Sequence, residues 1–256
     1  VQETKNKLEE LKKSDEKADY ITFVPDGEPT LDINLGATIE KLKKFEIKLA
    51  IITNSSMLFN NNIRNELMLV DWVSLKIDTI EPEIWRKINR PHGCLNLELI
   101  LDGIKNFASS YRGVLVTETM LVKGINDSNE SITGTARVIK TINPRTAYIL
   151  IPTRPPAEAY VIPPDEKTLN ATYQVFTDHN INTELMYHNE GDEFTYTSDF
   201  EKELLSILAV HPMRMDAVKR FLAKSDLDWN VIEDLIVNNK IKKVVYIGDT
   251  YFISKR

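Results

Sequence analysis

Apolar residues recur along this chain in two rhythms. In residues 71–79 (DWVSLKIDT) the period is two: Val73, Leu75 and Ile77 fall on one side of an extended chain, and Ser74, Lys76 and Asp78 fall on the other. If this strand lies deep in a sheet, its polar row is hydrogen-bonded internally or lines a cavity that holds something polar. If it lies at an edge, the row faces water. Short β-branched runs at 20–24, 48–53, 114–121, 146–151 and 182–187 have the same extended character, the first stopped by Pro25. Between them, residues 35–45, 61–69, 81–88, 96–109, 128–141 and 165–179 show the 3.6-residue spacing of amphipathic helices, as in Leu35, Ile39, Leu42 and Phe45. A charged helix carrying Leu8 and Leu11 comes first. Strands alternating with helices at this spacing predict βα units around a parallel sheet or barrel.

From about Ser198 the grammar changes. Helices at 200–208, 213–223 and 228–238 precede two short strands, 241–247 and 250–254, turned by Gly248-Asp249. Three helices and a hairpin is the order of a winged helix. The chain therefore divides into an α/β domain, 1–197, and a winged-helix-like domain, 198–256. From Phe200 onward there are 10 Lys/Arg against 8 Asp/Glu, leaving 22 against 30 before it. That balance gives the C-terminal domain no strongly basic nucleic-acid face, and Asp228, Glu233 and Asp234 on its third helix disfavour phosphate.

Composition narrows the class. With 42% hydrophobic and 27% charged residues, the 256-residue chain reads as globular rather than disordered. It has no apolar run long enough to span a bilayer and no signal-peptide core, which favours the cytoplasm and no membrane partner. Its one cysteine, Cys94, excludes an intrachain disulfide and any metal site built from cysteines of this chain alone. His92, His179, His188 and His211 lack metal-motif spacing.

In parallel α/β folds ligands sit at the C-terminal ends of the strands. Those ends hold Asp26-Gly27-Glu28-Pro29-Thr30, Thr53-Asn54-Ser55, Ser74-Lys76-Asp78, Glu118 with the loop 123–126, and Arg154. Each also has a plainer reading: Glu28 as a turn residue, Asn54 as a helix cap, Lys76 with Asp78 or Glu118 as a buried ion pair, and Arg90-Pro91-His92-Gly93 as a helix stop.

The segments FVPDGEPTLD, ITNSS, SLKIDT, WRKINRPHG, TETMLVKGIND and IPTRPPAE resemble the radical S-adenosylmethionine (radical SAM) proteins. Within these they resemble the Fe–S oxidoreductase group related to archaeal tRNA wyosine-synthesis enzymes. The resemblance covers about residues 19–256 and implies a partial parallel (β/α) barrel. It implies that Gly27, Glu28 and Pro29 meet the SAM ammonium, that Thr53 and Asn54 lie beside the methionyl group, and that Ser74 and Lys76 face the ribose and the carboxylate. Glu118 would line the pocket, and the loop holding Gly124 and Asn126 would pack on the adenine. Asp78, Arg90, His92 and Arg154 are the candidate substrate contacts. The resemblance further implies a 4Fe–4S cluster that breaks SAM reductively so that a substrate hydrogen is abstracted, an electron donor such as ferredoxin or flavodoxin, and an RNA or other nucleoside substrate.

One departure stands out. The family holds its cluster through a CxxxCxxC loop after the first barrel strand, and that strand and loop are expected upstream of Val1. The chain is then either part of an active enzyme or a degenerate barrel that serves as a binding or regulatory module through its winged helix.

Overall fold

The computed structural model describes residues 1–13, 17–24, 27–186 and 199–255. Pro25, Asp26, Tyr187, His188 and the boundary expected at 197/198 lie outside these. Two compact units are present, Val1–Ile151 with Pro163–Met186, and Pro152–Ile162 with Tyr187–Arg256.

The first unit opens with α1 (Gln2–Lys13) and then alternates: β1 (Tyr20–Phe23), α2 (Leu35–Leu42), β2 (Lys48–Thr53), α3 (Asn61–Leu67) and β3 (Trp72–Lys76). After α4 (Pro82–Asn89) and α5 (Leu97–Ser110) come β4 (Val114–Met120), α6 (Asn129–Ile142), β5 (Thr146–Leu150), α7 (Glu166–Asp178) and β6 (Thr183–Met186). The six strands form one parallel sheet in chain order, as the alternation predicts. The helix starts are written in the sequence. Asn96, Ser128 and Asp165 each accept a hydrogen bond from a backbone N–H three residues on, satisfying a donor that the first helical turn leaves without a partner. The expected helix 35–45 divides, because its last residues, Lys43–Phe45, tighten into a 3-10 turn that ends on left-handed Glu46.

Side chains from one sheet face, among them Leu49, Ile51, Val73, Leu75 and Ile149, form the core with Ile39, Ile104, Phe107, Ile139 and Phe176 from the helices. The cross-strand register puts Ile52, Ser74, Lys76, Glu118, Tyr148 and Glu184 together on the other face. Apart from Ser74, these are half-buried or exposed. Helix α5 crosses the backbone near Leu58 at Gly103, where an added Cβ would lie 2.1 Å from the Leu58 carbonyl oxygen. Backbone cannot rotate away as a side chain can. Gly103→Ala is therefore expected to cost at least about 2 kcal/mol, the middle of the overpacking range, despite its better helix propensity. A urea midpoint at or above that of the parent would show that α5 does not approach so closely.

In the second unit, α8 (Phe200–Val210) leads to β7 (Met213–Arg214), α9 (Met215–Leu222) and α10 (Asn230–Val237), and then to the hairpin of β8 (Ile241–Tyr246) and β9 (Asp249–Ser254). The expected helix 213–223 begins two residues late. Met213 is fully buried opposite Phe252, and with Arg214 it adds a third antiparallel strand, in the order β7-β9-β8. The hairpin turn is Ile247-Gly248, both at positive φ, one residue earlier than expected. The Tyr246 and Tyr251 hydroxyls donate to the Pro152 and Thr153 carbonyls at 3.0 and 2.8 Å, tying the 152–162 segment to this unit. Among the described residues, no helix is long and apolar enough to cross a membrane.

Candidate functional site

Hydrogen bonds that sequence alone does not reveal join the strand ends of the first unit in two pairs, β1 with β2 and β3 with β4. The Glu28 carboxylate, beyond β1, binds the turn after its own strand and the end of β2. Its Oε1 accepts from Thr30 N (3.0 Å), Thr30 Oγ1 (2.6 Å) and Thr53 Oγ1 (2.5 Å), and its Oε2 accepts from Asn54 N (2.7 Å). Pro29 starts the short 3-10 turn that carries Thr30 into this arrangement, and both are buried. Glu28 is thus more than a turn residue: it shapes two loops, and Oε2 retains an acceptor site. Gly27 is exposed with open space where a Cβ would stand. The Asn54 side chain accepts from Ser56 N (2.9 Å), an Asx turn rather than the cap of α3, which Asn60 provides.

The polar row of β3 follows both courses open to a buried strand. Ser74, 1% exposed, donates to Glu118 Oε1 on β4 at 2.6 Å. Lys76 and Asp78 form an ion pair at 3.1 Å in which the aspartate side chain is fully buried and the lysine side chain is 29% exposed. Asp78 also accepts from Met120 N (2.8 Å) and from Asn89 Nδ2 at the end of α4 (2.7 Å). Asp78 therefore stitches β3, β4 and α4 together, which makes it a structural residue before any contact with substrate. The ion pair uses one of the three ammonium donors of Lys76 and leaves two for an anion. Next to Glu118 in the sheet register, the Tyr148 phenol is pushed above its ordinary range by burial and then by the Glu184 carboxylate, so it stays protonated.

Asn126 is 2% exposed and fully engaged. It accepts from Val122 N and donates to the carbonyls of Asp78 and Met120, each at 2.8 Å. Its side chain clamps the loop after β4, bonding Val122, Asp78 and Met120. Gly124, at φ +68°, turns the same loop and donates to Asp127 Oδ1.

Asn54, Lys76, Arg90 and His92 line one cavity of about 690 Å³. Its apolar wall comes from Leu31, Met57, Trp85, Ile88 and Leu95, residues whose helical or loop spacing gives no hint of a shared cavity. Asn89, absent from the sequence expectations, is the partner of Asp78; its only signal is its place at the end of the helix after that strand. Arg90 ends α4 in the left-handed conformation, consistent with a helix stop. His92 Nδ1 lies 2.9 Å from the sulfur of exposed Cys94. Arg154 falls in the 152–162 segment of the second unit.

The residues present do not fit a 4Fe–4S cluster: the chain has one cysteine, and among the described residues no group of three or more His, Cys, Asp or Glu could hold a metal ion. They do fit a zwitterionic nucleotide, since a carboxylate, an ammonium and unfilled acceptors stand at neighbouring strand ends.

A Radical SAM superfamily profile matches residues 1–134. The UPF0026 protein MJ1312 of Methanocaldococcus jannaschii is 40% identical over 244 residues, 94% of this chain and 76% of that protein. Among solved structures, a domain of pyruvate-formate lyase-activating enzyme from Bacteroides vulgatus aligns at TM-score 0.54 and 18% identity, covering 65% of this chain and 98% of that domain. A radical SAM methyltransferase from Sphaerobacter thermophilus aligns at TM-score 0.54 and 14% identity, covering 71% of this chain and 55% of that protein. At such identities the structural likenesses speak for the fold alone. Together with the matched profile and the close archaeal relative, the parallel sheet and its polar strand ends lead to one conclusion: this chain belongs to the radical SAM superfamily.

Proposed function

We propose that the first unit binds S-adenosylmethionine across the ends of β1 to β4 and serves as the SAM-holding part of a radical SAM enzyme. The observation that carries this is the cavity that Asn54 and Lys76 share, with Glu28 bonded to Asn54 and the Ser74–Glu118 pair beside Lys76 in the sheet. Lys76, fixed by Asp78, offers two N–H donors to the methionyl carboxylate. The second oxygen of Glu118 and the lone pairs of Ser74 accept from ribose hydroxyls, and Glu28 Oε2, with the loops it shapes, receives the ammonium. SAM supplies the adenosyl carbon to which a substrate hydrogen passes. The chain's own residues bind and orient that carbon and keep water from it.

A nucleoside substrate, in RNA or free, and a ferredoxin- or flavodoxin-like electron donor belong to the same reading. We read the second unit as a winged helix acting as a packing module, since its third helix, α10, is acidic where a nucleic-acid reader needs cations. Calorimetric titration of the chain with SAM is expected to show saturable one-to-one binding. Lys76→Ala should weaken it at least tenfold, about 1.4 kcal/mol. Absence of binding at millimolar SAM, or equal affinity in the variant, would overturn the assignment.

A further inference from the structure

The opposite end of the sheet, where the strands begin, holds a concave pocket of about 830 Å³ against the C-terminal ends of α5 and α6. Its wall carries Lys48, Lys105, Arg112 and Arg145, with Asp71 as its one carboxylate among the described residues. This concentration of positive charge sits in a chain of net charge −6. Asp71 already accepts from Leu49 N at 2.7 Å, and Lys105 lies 3.3 Å from Asp102 on its own helix. Arg112 and Arg145 are exposed, and among the described residues neither makes an ion pair. Tyr20 forms one side of the pocket, 37% exposed, with the Lys48 ammonium 5.9 Å from its ring centre.

Helix ends explain part of this. A cation after the last turn of α5 or α6 offsets the partial negative charge there, by about 0.3–1 kcal/mol. Lys48 has no such role, because it starts a strand, and the helix ends do not require the cations to share one concavity. Gathering them raises the local potential, which a small anion answers best. Two guanidinium groups that pair with no carboxylate among the described residues offer planar forks that match phosphate oxygens. The volume lies within the roughly 300–1,000 Å³ of pockets that hold nucleotide-sized ligands, and an exposed tyrosine ring suits a base.

We propose that this pocket binds phosphate esters, from a free nucleotide or from a single-stranded RNA, through Arg112, Arg145, Lys48 and Lys105. It lies at the other end of the sheet from the SAM residues, so the two proposals fail separately.

The test uses the full chain at about 50 mM salt, where phosphate contacts are least screened. ADP binding is followed by calorimetry and a 5′-fluorescein-labelled oligouridylate by anisotropy. The parent is compared with Arg112→Glu/Arg145→Glu and with Lys242→Glu/Lys243→Glu on β8 of the second unit. The expected result is binding of at least one probe, weakened at least tenfold by the first pair and unchanged by the second. SAM affinity should be retained in both variants, and the Arg112/Arg145 reversal should lower the thermal midpoint by only a few degrees, since all four residues are exposed and each helix-end charge is worth about 0.3–1 kcal/mol. Binding of ADP alone assigns the pocket to free nucleotides, and binding of the oligomer with a log–log salt slope near about −2.8, four phosphates at about −0.7 each, assigns it to RNA. The proposal is overturned if the parent binds neither probe, or if the Arg112/Arg145 reversal leaves binding intact.

Discussion

Asp78→Ala is expected to destabilise the first unit by about 3–5 kcal/mol, more than Gly103→Ala or any loss of a single strand-end hydrogen bond. The carboxylate is buried and meets three donors from three different elements: Lys76 Nζ, Met120 N and Asn89 Nδ2. Removing it strands a half-buried ammonium and takes from a backbone N–H and an amide, both partly buried, the acceptor they share. Urea unfolding should show this as a midpoint lowered by about 2 M, taking an m-value near 2 kcal/mol/M. Asp78→Asn keeps an acceptor but no charge and should fall between parent and alanine. A loss below about 1 kcal/mol for alanine would mean that the three donors find other partners and that Asp78 does not organise these strand ends.

Glu28→Ala is expected to weaken SAM binding at least a hundredfold, about 2.7 kcal/mol, while changing global stability less than Asp78→Ala. Its four hydrogen bonds come from Thr30, Thr53 and Asn54, and hydrogen bonds to a charged group are worth about 1.5–3 kcal/mol each. Water can replace some of them at this half-buried position, so folding survives. The loops after β1 and β2 nevertheless lose the group that sets their spacing, and the ammonium loses its acceptor. Thr53→Val is the companion variant. It removes one donor to the carboxylate but leaves the charge, and should cost no more than about tenfold by the same scale. Affinity retained in Glu28→Ala would show that the carboxylate orders the loops without serving the ligand.

The same residues mark where the sequence ceases to be informative. Alternation in 71–79 correctly separates Val73, Leu75 and Ile77 from Ser74, Lys76 and Asp78, because a strand permits only two directions for a side chain. Cap residues such as Asn96, Ser128 and Asp165 give the helix starts to within a residue, since their bonds are local. The pairing of Ser74 with Glu118, 44 residues apart, is not legible, nor is the bond from Thr53 to Glu28. Neither leaves a periodic trace; both depend on which strands become neighbours. Asn126 reads as a ligand residue because it sits in a polar loop at a strand end. Its three backbone bonds reveal a clamp, and no local pattern distinguishes the two roles. Met213 reads as helical because a buried apolar residue before a helix fits the helical rhythm as well as it fits a two-residue strand.

The solitary thiol at position 94, solvent-facing on the rim shared with Asn54 and Lys76, makes the protein chemically addressable without engineering. A maleimide dye can attach at this one atom, free of the mixed labelling that multiple sulfhydryls cause. Occupancy of the cleft then becomes visible as an optical signal from a single, known coordinate.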